Sequence, residues 1–232
     1  MNNRVIKIGI AGLGTVGSGV INLLKKNSEE ISKRSGFEIK LECVSASNKT
    51  KKRVCDISGL RFYSDPIEML DKETIDIFVE LIGGETISKD LVTKALKNNV
   101  HVVTANKALI SAHGESIFKL VEKNGGNLYY EAAVAGGIPI IKSLREGLSG
   151  NRIQRLYGIL NGTCNFILTQ MELEGRSFEE ILLDAQRLGY AEAEPSLDVD
   201  GFDAQHKAGI LASLAHGFWI KPNQIFVEGI RH

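Results

Sequence analysis

Three glycines near the start of the chain have the spacing of a phosphate-binding turn. Gly12, Gly14 and Gly17 form a G-x-G-x-x-G pattern directly after an apolar run and at the start of a helical pattern. In that context the first glycine permits a tight turn, the second lets backbone approach a pyrophosphate, and the third lets the helix pack against the strand. The helix N-terminus then offers N–H donors to the phosphates. The alternative is a glycine-rich turn that binds nothing. The predicted contacts are Gly12, Leu13, Gly14, Thr15, Val16 and Gly17.

A basic segment follows the second predicted strand. It reads SASNKTKKR from Ser45 and contains no carboxylate, but it has four cations within five positions, starting at Lys49. A carboxylate there would bind the ribose 2′-hydroxyl of NAD, whereas basic groups favour the additional phosphate of NADP. We therefore predict NADP as the cofactor, with NAD as the alternative and Lys49 as a contact. A solvated basic loop is the other interpretation.

Polar groups also stand at the ends of later predicted strands. Gly83 and Gly84 follow VELI, and Thr104 and Lys107 lie in TANK after HVV. Ligands of doubly wound sheets bind outside the carboxyl ends of the strands, so these residues are candidates for cofactor contact. The ammonium of Lys107 could reach a substrate or a nicotinamide ribose, although a lysine in a loop is more often simply exposed to solvent.

Five carboxylates precede a lysine between positions 190 and 207. Asp203 and Lys207 are four residues apart and should share one face of the last predicted helix, with Asp200 as its N-cap. The spacing fits a surface ion pair worth about 0.3 to 0.5 kcal/mol, or an ammonium held in place for chemistry. The segment lacks the regular spacing of a calcium loop. The carboxylates are Glu192, Glu194, Asp198, Asp200 and Asp203.

The elements that must position these residues alternate between strand and helix patterns. Strand, helix, strand in repetition predicts a doubly wound parallel sheet over residues 1–130. A second, α+β substrate domain is predicted over 131–232, where helical patterns lie between the strand-like segments RIQRLYGIL and IFVEGI. The predicted strands of the first domain are VIKIGIAG from Val5, EIKLECVSA from Glu38, TIDIFVELI from Thr74, NVHVVTA from Asn99 and NLYYEAA from Asn127.

Composition excludes several other classes of protein. The 232 residues contain 28 Lys and Arg against 28 Asp and Glu, which argues against a nucleic-acid or acidic-membrane partner. No apolar run approaches the roughly 18 residues that span a bilayer, and the first ten residues do not resemble a signal peptide. Three scattered cysteines fit neither a disulfide scaffold nor a zinc site. We expect a cytoplasmic protein.

The motifs taken together resemble the homoserine dehydrogenase family, NAD(P)-dependent enzymes of threonine, methionine and isoleucine synthesis. The resemblance extends over nearly the whole chain and rests on AGLGTVGSGV, ELIGG, TANKALI, YEAAVAGGIPII, GILNGTCNFIL and GYAEAEPSLDVDGFDAQHKAGILA, in that order. It implies a reversible hydride transfer between L-aspartate 4-semialdehyde and L-homoserine. Reduction of an aldehyde also needs a proton on the developing alkoxide, and a lysine ammonium can supply it. We therefore expect the oxidative direction, which needs a neutral lysine, to run better at alkaline pH.

The resemblance also implies roles for individual residues. Lys207 is the proton donor, and Lys107 is its partner, touching cofactor and substrate. Glu192 and Asp203 hold the amino-acid head of the substrate, and Asp198 supports the lysine. Thr163 lies near the substrate, and Gly189 near the cofactor. A structural monovalent cation, sodium by similarity, is held by oxygens at Glu131, Val134, Gly136 and Ile138.

Family members are longer than this chain, so the resemblance implies that it is part of a larger enzyme, a homodimer or higher homo-oligomer. Two other hypotheses remain. The chain could be a reductase of another small amino-acid aldehyde, sharing only the nucleotide domain. It could also be a non-catalytic module that binds NADPH.

Overall fold

The computed structural model describes residues 4–231, which form two compact units that divide between Ala133 and Val134. Within the described residues, no helix combines the length and the apolar character that crossing a bilayer requires.

The first unit is built on a sheet of six parallel strands in the order β3-β2-β1-β4-β5-β6. The chain starts at β1, builds outward through β2 and β3, and then crosses to the other side of β1 to form β4. This reversal opens a crevice at the carboxyl ends of β1 and β4, where such folds bind ligands. The predicted doubly wound sheet is confirmed. The strands are β1 Val5–Ala11, β2 Glu38–Ser45, β3 Arg61–Tyr63, β4 Ile77–Glu80, β5 His101–Thr104 and β6 Leu128–Tyr129.

Helices connect these strands. The segment after the glycine-rich turn forms two helices, which are separated at Asn27. Asp65 and Asn106 begin later helices as N-caps, each accepting a hydrogen bond from a first-turn N–H. The helices of this unit are α1 Thr15–Lys26, α2 Ser28–Ser35, α3 Pro66–Lys72, α4 Thr86–Lys97 and α5 Lys107–Asn124.

A small apolar cluster fixes the position of the glycine-rich turn. Ile10 of β1, Val44 of β2 and Ile21 of α1 are fully buried against one another, together with Val79 of β4. Burial of each such side chain contributes about 1.5 to 3 kcal/mol. Because Ile10, Val44 and Val79 lie close to the carboxyl ends of their strands, the same packing holds the rim of the sheet in place.

The second unit is helical within residues 134–231. Ile167 of α7 and Ile181 and Ala185 of α8 form its core with Val199, and α10 packs against α9. The short helix α6 continues directly into one turn of π-helix, Ser143–Gly147. The helices are α6 Ile140–Lys142, α7 Gly162–Glu174, α8 Phe178–Arg187, α9 Ser196–Val199 and α10 Phe202–His216.

The strand-like patterns predicted for the second unit do not form strands there. Residues 152–160 and 225–230 have no regular secondary structure, and the side chains of Tyr157, Ile159 and Phe226 are largely exposed. A strand is stable only when its backbone is paired with another strand. Residues 134–231 contain no such partner, and the regular elements described there are helices.

Candidate active site

The glycine-rich turn is shaped by close backbone packing at two of its three glycines. Gly12 has φ of +99°, and an added Cβ would lie 2.3 Å from the carbonyl oxygen of Leu81. A Cβ on Gly17 would lie 2.0 Å from the carbonyl oxygen of Gly12. An added Cβ on Gly14, in contrast, would meet no described atom within 4 Å. The turn is therefore closed against the sheet at Gly12 and Gly17 and open at Gly14, as a phosphate-binding turn requires.

Helix α1 begins at this open glycine. Its N-cap is Gly14, and no side chain among residues 4–231 caps its first turn. The predicted contacts Thr15 and Val16 are the first two residues of the helix, and Val16 is exposed. The first N–H groups of a helix have no partner within the helix and attract anions. These donors are therefore available to phosphate oxygens.

A cavity of about 390 Å³ lies beside this turn. Its lining includes Leu13 and Gly14 from the turn, Ser45 at the end of β2 and Arg53 from the segment that follows β2. Ser45 Oγ and Arg53 Nε are buried and have no hydrogen-bond partner within the described residues. Buried polar atoms are almost always paired in folded proteins, so these two atoms indicate where a polar ligand would bind.

The basic segment after β2 is ordered by its own hydrogen bonds. The guanidinium of Arg53 donates to the carbonyl oxygens of Asn48, Lys49 and Lys51, and Asn48 Oδ1 accepts from the N–H of Thr50 at 2.8 Å. Lys51 and Arg53 line the cavity. Lys49, the lysine singled out from the sequence, has its ammonium 5.8 Å from the centre of the Phe62 ring instead.

Lys107 is the first residue of α5, at the carboxyl end of the sheet. Asn106 caps the helix by accepting from the N–H of Leu109 at 3.0 Å. The N–H of Asn106 donates to Thr104 Oγ1 at 3.0 Å, and Thr104 is buried at the end of β5. The structure therefore places Thr104 and Lys107 at the rim of the same sheet as the glycine-rich turn.

In the second unit, Lys207 is paired with Asp203 in a mostly buried position. The ammonium nitrogen of Lys207 lies 2.6 Å from Asp203 Oδ2 and donates to the carbonyl oxygen of Leu160 at 2.9 Å. The side chains are 17% and 5% exposed, respectively. The prediction that the two residues share one helix face is confirmed. The pair is not a surface ion pair, because little of either side chain is exposed to solvent.

Asn161 joins the two acids of this site. Its Nδ2 donates to Asp198 Oδ1 at 2.7 Å and to Asp203 Oδ2 at 2.9 Å, while its Oδ1 accepts from the N–H of Cys164 at 2.8 Å. The residue is 8% exposed and is the N-cap of α7. Asp203 thus contacts the lysine directly, and Asp198 reaches it through Asn161. Sequence reasoning missed Asn161, although an Asn-Gly pair before a helical pattern indicates an N-cap.

The thiol of Cys164 borders this network. Its Sγ donates to the carbonyl oxygen of Asp198 at 3.1 Å. Burial raises the pKa of the thiol, and the negative charges of Asp198 and Asp203 raise it further. Cys164 is therefore a neutral neighbour of the acids near pH 7.

Two further predicted residues lie together near the start of α7. Thr163 Oγ1 donates to the carbonyl oxygen of Tyr190 at 2.6 Å. Gly189, which precedes Tyr190 in the chain, has φ of +80° and ends the helical turn after α8. Glu192 is exposed, and its carboxylate has no hydrogen bond or ion pair with the described residues. Its backbone carbonyl accepts from Gln186 Nε2 at 3.0 Å.

The predicted N-cap role of Asp200 is wrong. Helix α10 starts from Gly201, whose φ is +87°, and Asp200 follows the short helix α9. The carboxylate of Asp200 pairs with Arg231 instead. The carboxylate of Asp203 does not cap the helix, because it accepts hydrogen bonds from Asn161 and Lys207.

The residues predicted to hold a cation belong to different units. Glu131 opens a short 3₁₀ turn at the end of the first unit, and Val134, Gly136 and Ile138 begin the second. Gly136 has φ of +59° in a turn closed by the N–H of Ile138 donating to Ala135. Backbone carbonyl oxygens are ligands that hard cations accept. Within residues 4–231 no three His, Cys, Asp or Glu side chains form a metal-binding group.

Comparison with known proteins covers both units. Residues 12–131 match the family model described as homoserine dehydrogenase, NAD binding domain, and residues 139–232 match the model described as homoserine dehydrogenase.

Individual relatives agree with these matches. A homoserine dehydrogenase of Pseudomonas aeruginosa is 50% identical over 98% of this chain and 52% of its own length. The crystal structure of one from Thiobacillus denitrificans is 46% identical, with a TM-score of 0.91 over 98% of this chain and 53% of that one. A hyperthermophilic archaeal homoserine dehydrogenase, solved in complex with NADPH, is 27% identical, with a TM-score of 0.81 over 92% of this chain and 70% of that one.

The chain spans about half the length of the curated relatives that it matches. Both units, and the motifs that supply the glycine-rich turn and the buried lysine, fall within the matched regions. The chain belongs to the homoserine dehydrogenase family.

Proposed function

We propose that this chain contains the cofactor-binding and proton-transferring parts of an enzyme that interconverts L-homoserine and L-aspartate 4-semialdehyde. NADP is the proposed cofactor, with NAD as the alternative, and the reaction would serve threonine, methionine and isoleucine synthesis. The observation that most directly supports this proposal is the Lys207–Asp203 pair, with the ammonium nitrogen 2.6 Å from Asp203 Oδ2 in a mostly buried position.

The first unit fits the cofactor. Bound NADP would supply the nicotinamide carbon that accepts or gives the hydride. The N–H groups at the start of α1, next to the open position at Gly14, would bind the pyrophosphate. Ser45 Oγ and Arg53 Nε, both buried without a described partner, would bind the polar atoms of the adenosine half. The likeness to a relative that binds NADPH supports the same assignment.

The second unit supplies the proton. In the reductive direction Lys207 gives its proton to the aldehyde oxygen as negative charge develops there. In the oxidative direction the same nitrogen takes the hydroxyl proton of homoserine. Asp203 and the carbonyl of Leu160 hold the nitrogen in place, since each accepts one of its hydrogen bonds. Asp198 supports this arrangement through Asn161.

The remaining roles rest on the family resemblance together with the geometry. Lys107, at the N-terminus of α5, would touch both cofactor and substrate. Glu192 and Asp203 would hold the substrate ammonium, and the exposed carboxylate of Glu192 is available for that contact. Thr163 would lie near the substrate. Gly189, beside the Tyr190 carbonyl that Thr163 binds, would lie near the cofactor.

Three broader assignments complete the proposal. A structural sodium ion would be held by oxygens at Glu131, Val134, Gly136 and Ile138, and it would take no part in hydride transfer. The full-length enzyme would be a homodimer or a higher homo-oligomer. The three cysteines are unpaired, which fits the reducing cytoplasm as its location.

The test is a turnover assay on the purified chain with NADP⁺ and L-homoserine, followed by nicotinamide absorbance. Lys207→Met keeps the apolar stem and removes the ammonium, so turnover should fall by about two orders of magnitude or more. Lys119→Met is the matched control, because Lys119 forms an exposed i,i+4 pair with Glu115. Undiminished turnover in Lys207→Met would remove this lysine from the mechanism. NADPH binding without turnover in the unsubstituted chain would favour the non-catalytic module.

A further inference from the structure

A completely buried carboxylate ends strand β4, whose other side chains are apolar. Glu80 is 0% exposed and follows Ile77, Phe78 and Val79. Burying a carboxylate is costly unless its oxygens are well hydrogen-bonded, and an apolar residue would pack at lower cost. The groups that bind this carboxylate therefore show what it does in the fold.

One oxygen of Glu80 binds the loop that follows β4. Oε1 accepts from the N–H of Ile82 at 2.9 Å, from the N–H of Gly83 at 3.1 Å and from Ser88 Oγ at 2.9 Å. The same loop packs on the glycine-rich turn, because Gly12 leaves no space for a Cβ against the Leu81 backbone. Glu80 thereby fixes the loop that borders the candidate cofactor cavity.

The other oxygen reaches the start of α5. Oε2 accepts from Thr104 Oγ1 at 2.7 Å, and Thr104 Oγ1 accepts in turn from the N–H of Asn106 at 3.0 Å. Asn106 caps α5 and also donates through Nδ2 to the carbonyl of Gly84. Lys107 is the next residue in the chain. Two hydrogen bonds therefore connect the Glu80 carboxylate with the residue before Lys107.

We propose that Glu80 is a positioning residue for the reaction: it holds the 82–84 loop and the N-terminus of α5 in register, and so sets the place of Lys107. This inference rests on the proposed role of Lys107 in contacting cofactor and substrate. Glu80 itself touches neither of them. It acts through Thr104 on one side and through the backbone of the loop on the other.

Glu80→Gln tests the proposal with little change in volume. The amide must place a nitrogen where one carboxylate oxygen accepts, so one side of the arrangement loses its acceptor. In the turnover assay kcat should fall by about tenfold or more, because small displacements of reacting groups have effects of that size. Amides on the side that loses its acceptor, either 82–84 or Asn106–Leu109, should exchange with deuterium faster than in the unsubstituted chain. Glu68→Gln, an exposed acid paired with Lys72 on α3, should change neither quantity.

A merely structural role would give a different pattern. Glu80→Gln would then lower Tm but leave the kcat of the folded protein and the exchange at both segments unchanged, and the proposal would be overturned. If the unsubstituted chain shows no turnover, the proposed function fails. Unchanged exchange at both segments in Glu80→Gln would still overturn the positioning role in that case.

Two further substitutions test each side separately if Glu80→Gln does not fold. Thr104→Val removes the hydroxyl between Glu80 and Asn106, so exchange should increase at 106–109 and not at 82–84. Ser88→Ala removes a hydroxyl whose single hydrogen lies within donating distance of both Glu80 Oε1 and the Gly83 carbonyl, so exchange should increase at 82–84 and not at 106–109. Faster exchange at the assigned segments supports the proposal, and any other pattern overturns it.

Discussion

Lys207 and Asp203 form an ion pair of 2.6 Å in which neither side chain has much contact with water. Asp203 is 4% exposed as a residue, and its second connection is to the amide of Asn161. A buried pair stabilises a fold little compared with apolar packing, but removing one partner leaves the other charge uncompensated. The position of the Lys207 nitrogen, which we propose transfers the proton, should therefore be sensitive to single substitutions.

Asp203→Asn should reduce both stability and turnover. The amide cannot balance the Lys207 charge, so the free energy of unfolding should fall by roughly 2 to 4 kcal/mol in urea titrations. Homoserine turnover should fall in parallel with the loss of a positioned ammonium. Glu115→Gln removes the acid of an exposed i,i+4 pair and should cost less than about 0.5 kcal/mol. Equal, small effects of the two substitutions would contradict the importance of burial.

Substitutions of Asn161 can distinguish its role as the N-cap of α7 from its hydrogen bonds to Asp198 and Asp203. Serine is a good N-cap, but its single, shorter O–H group cannot replace the two hydrogen bonds that Asn161 Nδ2 donates to Asp198 and Asp203. Alanine can neither cap nor donate. Asn161→Ser and Asn161→Ala should therefore lose similar amounts of homoserine turnover. Asn161→Ala should in addition be less stable than Asn161→Ser by about 1 kcal/mol in urea titrations. Full turnover in Asn161→Ser would show that the bridge has no part in the reaction.

The sequence predicts a strand correctly where the unit also supplies a partner strand, and it fails where the partner is missing. Val5–Ala11 and Glu38–Ser45 are strands as predicted, because apolar runs of this length next to helical patterns have few other solutions. Residues 152–160 have an equally strand-like pattern but form no strand, since no partner strand lies within residues 134–231. Arg61–Tyr63 was not predicted, because three residues are too short for a periodic signal.

In the candidate site, too, local sequence patterns do not predict contacts between residues that are distant in the chain. The spacing of Asp203 and Lys207 predicts that they share a helix face, but it does not predict their burial. Their burial depends on the packing of α9 against α10 and on contacts with Leu160 and Asn161. The bonds from Asn161 join it to residues 37 and 42 positions away, a distance over which local patterns contain no information. Asp200 fits the N-cap pattern, yet the contact with Arg231 and the left-handed backbone at Gly201 decide otherwise.

The geometry of the basic segment leads to a prediction about cofactor preference. Lys51 lines the cavity, whereas the ammonium of Lys49 lies over the ring of Phe62. Lys51→Ala should therefore weaken NADPH binding more than Lys49→Ala does, and it should leave NADH binding nearly unchanged, because NADH lacks the 2′-phosphate. Fluorescence titration of each variant with both nucleotides measures this. A larger effect of Lys49→Ala would favour the residue chosen from the sequence. Equal losses for NADPH and NADH would contradict recognition of the phosphate.

An ionic network at the edge strand β3 should govern stability in acid. Burial raises the pKa of Glu73, but hydrogen bonds from Arg61 and Tyr63 outweigh that effect, so its pKa lies below the ordinary value of 4.5. The hydrogen bond to Glu73, helped by burial, raises the pKa of Tyr63 to about 12. A lowered carboxyl pKa contributes stability that is complete above the unfolded value and is lost as pH falls through the folded value.

Arg61→Ala should therefore lower Tm most near neutral pH, and the difference from the unsubstituted chain should shrink as pH falls below about 4.5. Thermal unfolding at a series of pH values measures this, with Arg34→Ala as the control, because Arg34 forms an exposed i,i+4 pair with Glu30. The raised pKa of Tyr63 has the opposite sign: its contribution is complete below the ordinary value of 10.0 and is lost as pH rises towards about 12. A Tm difference for Arg61→Ala that stays constant from neutral to acid pH would show that Glu73 titrates independently of this network.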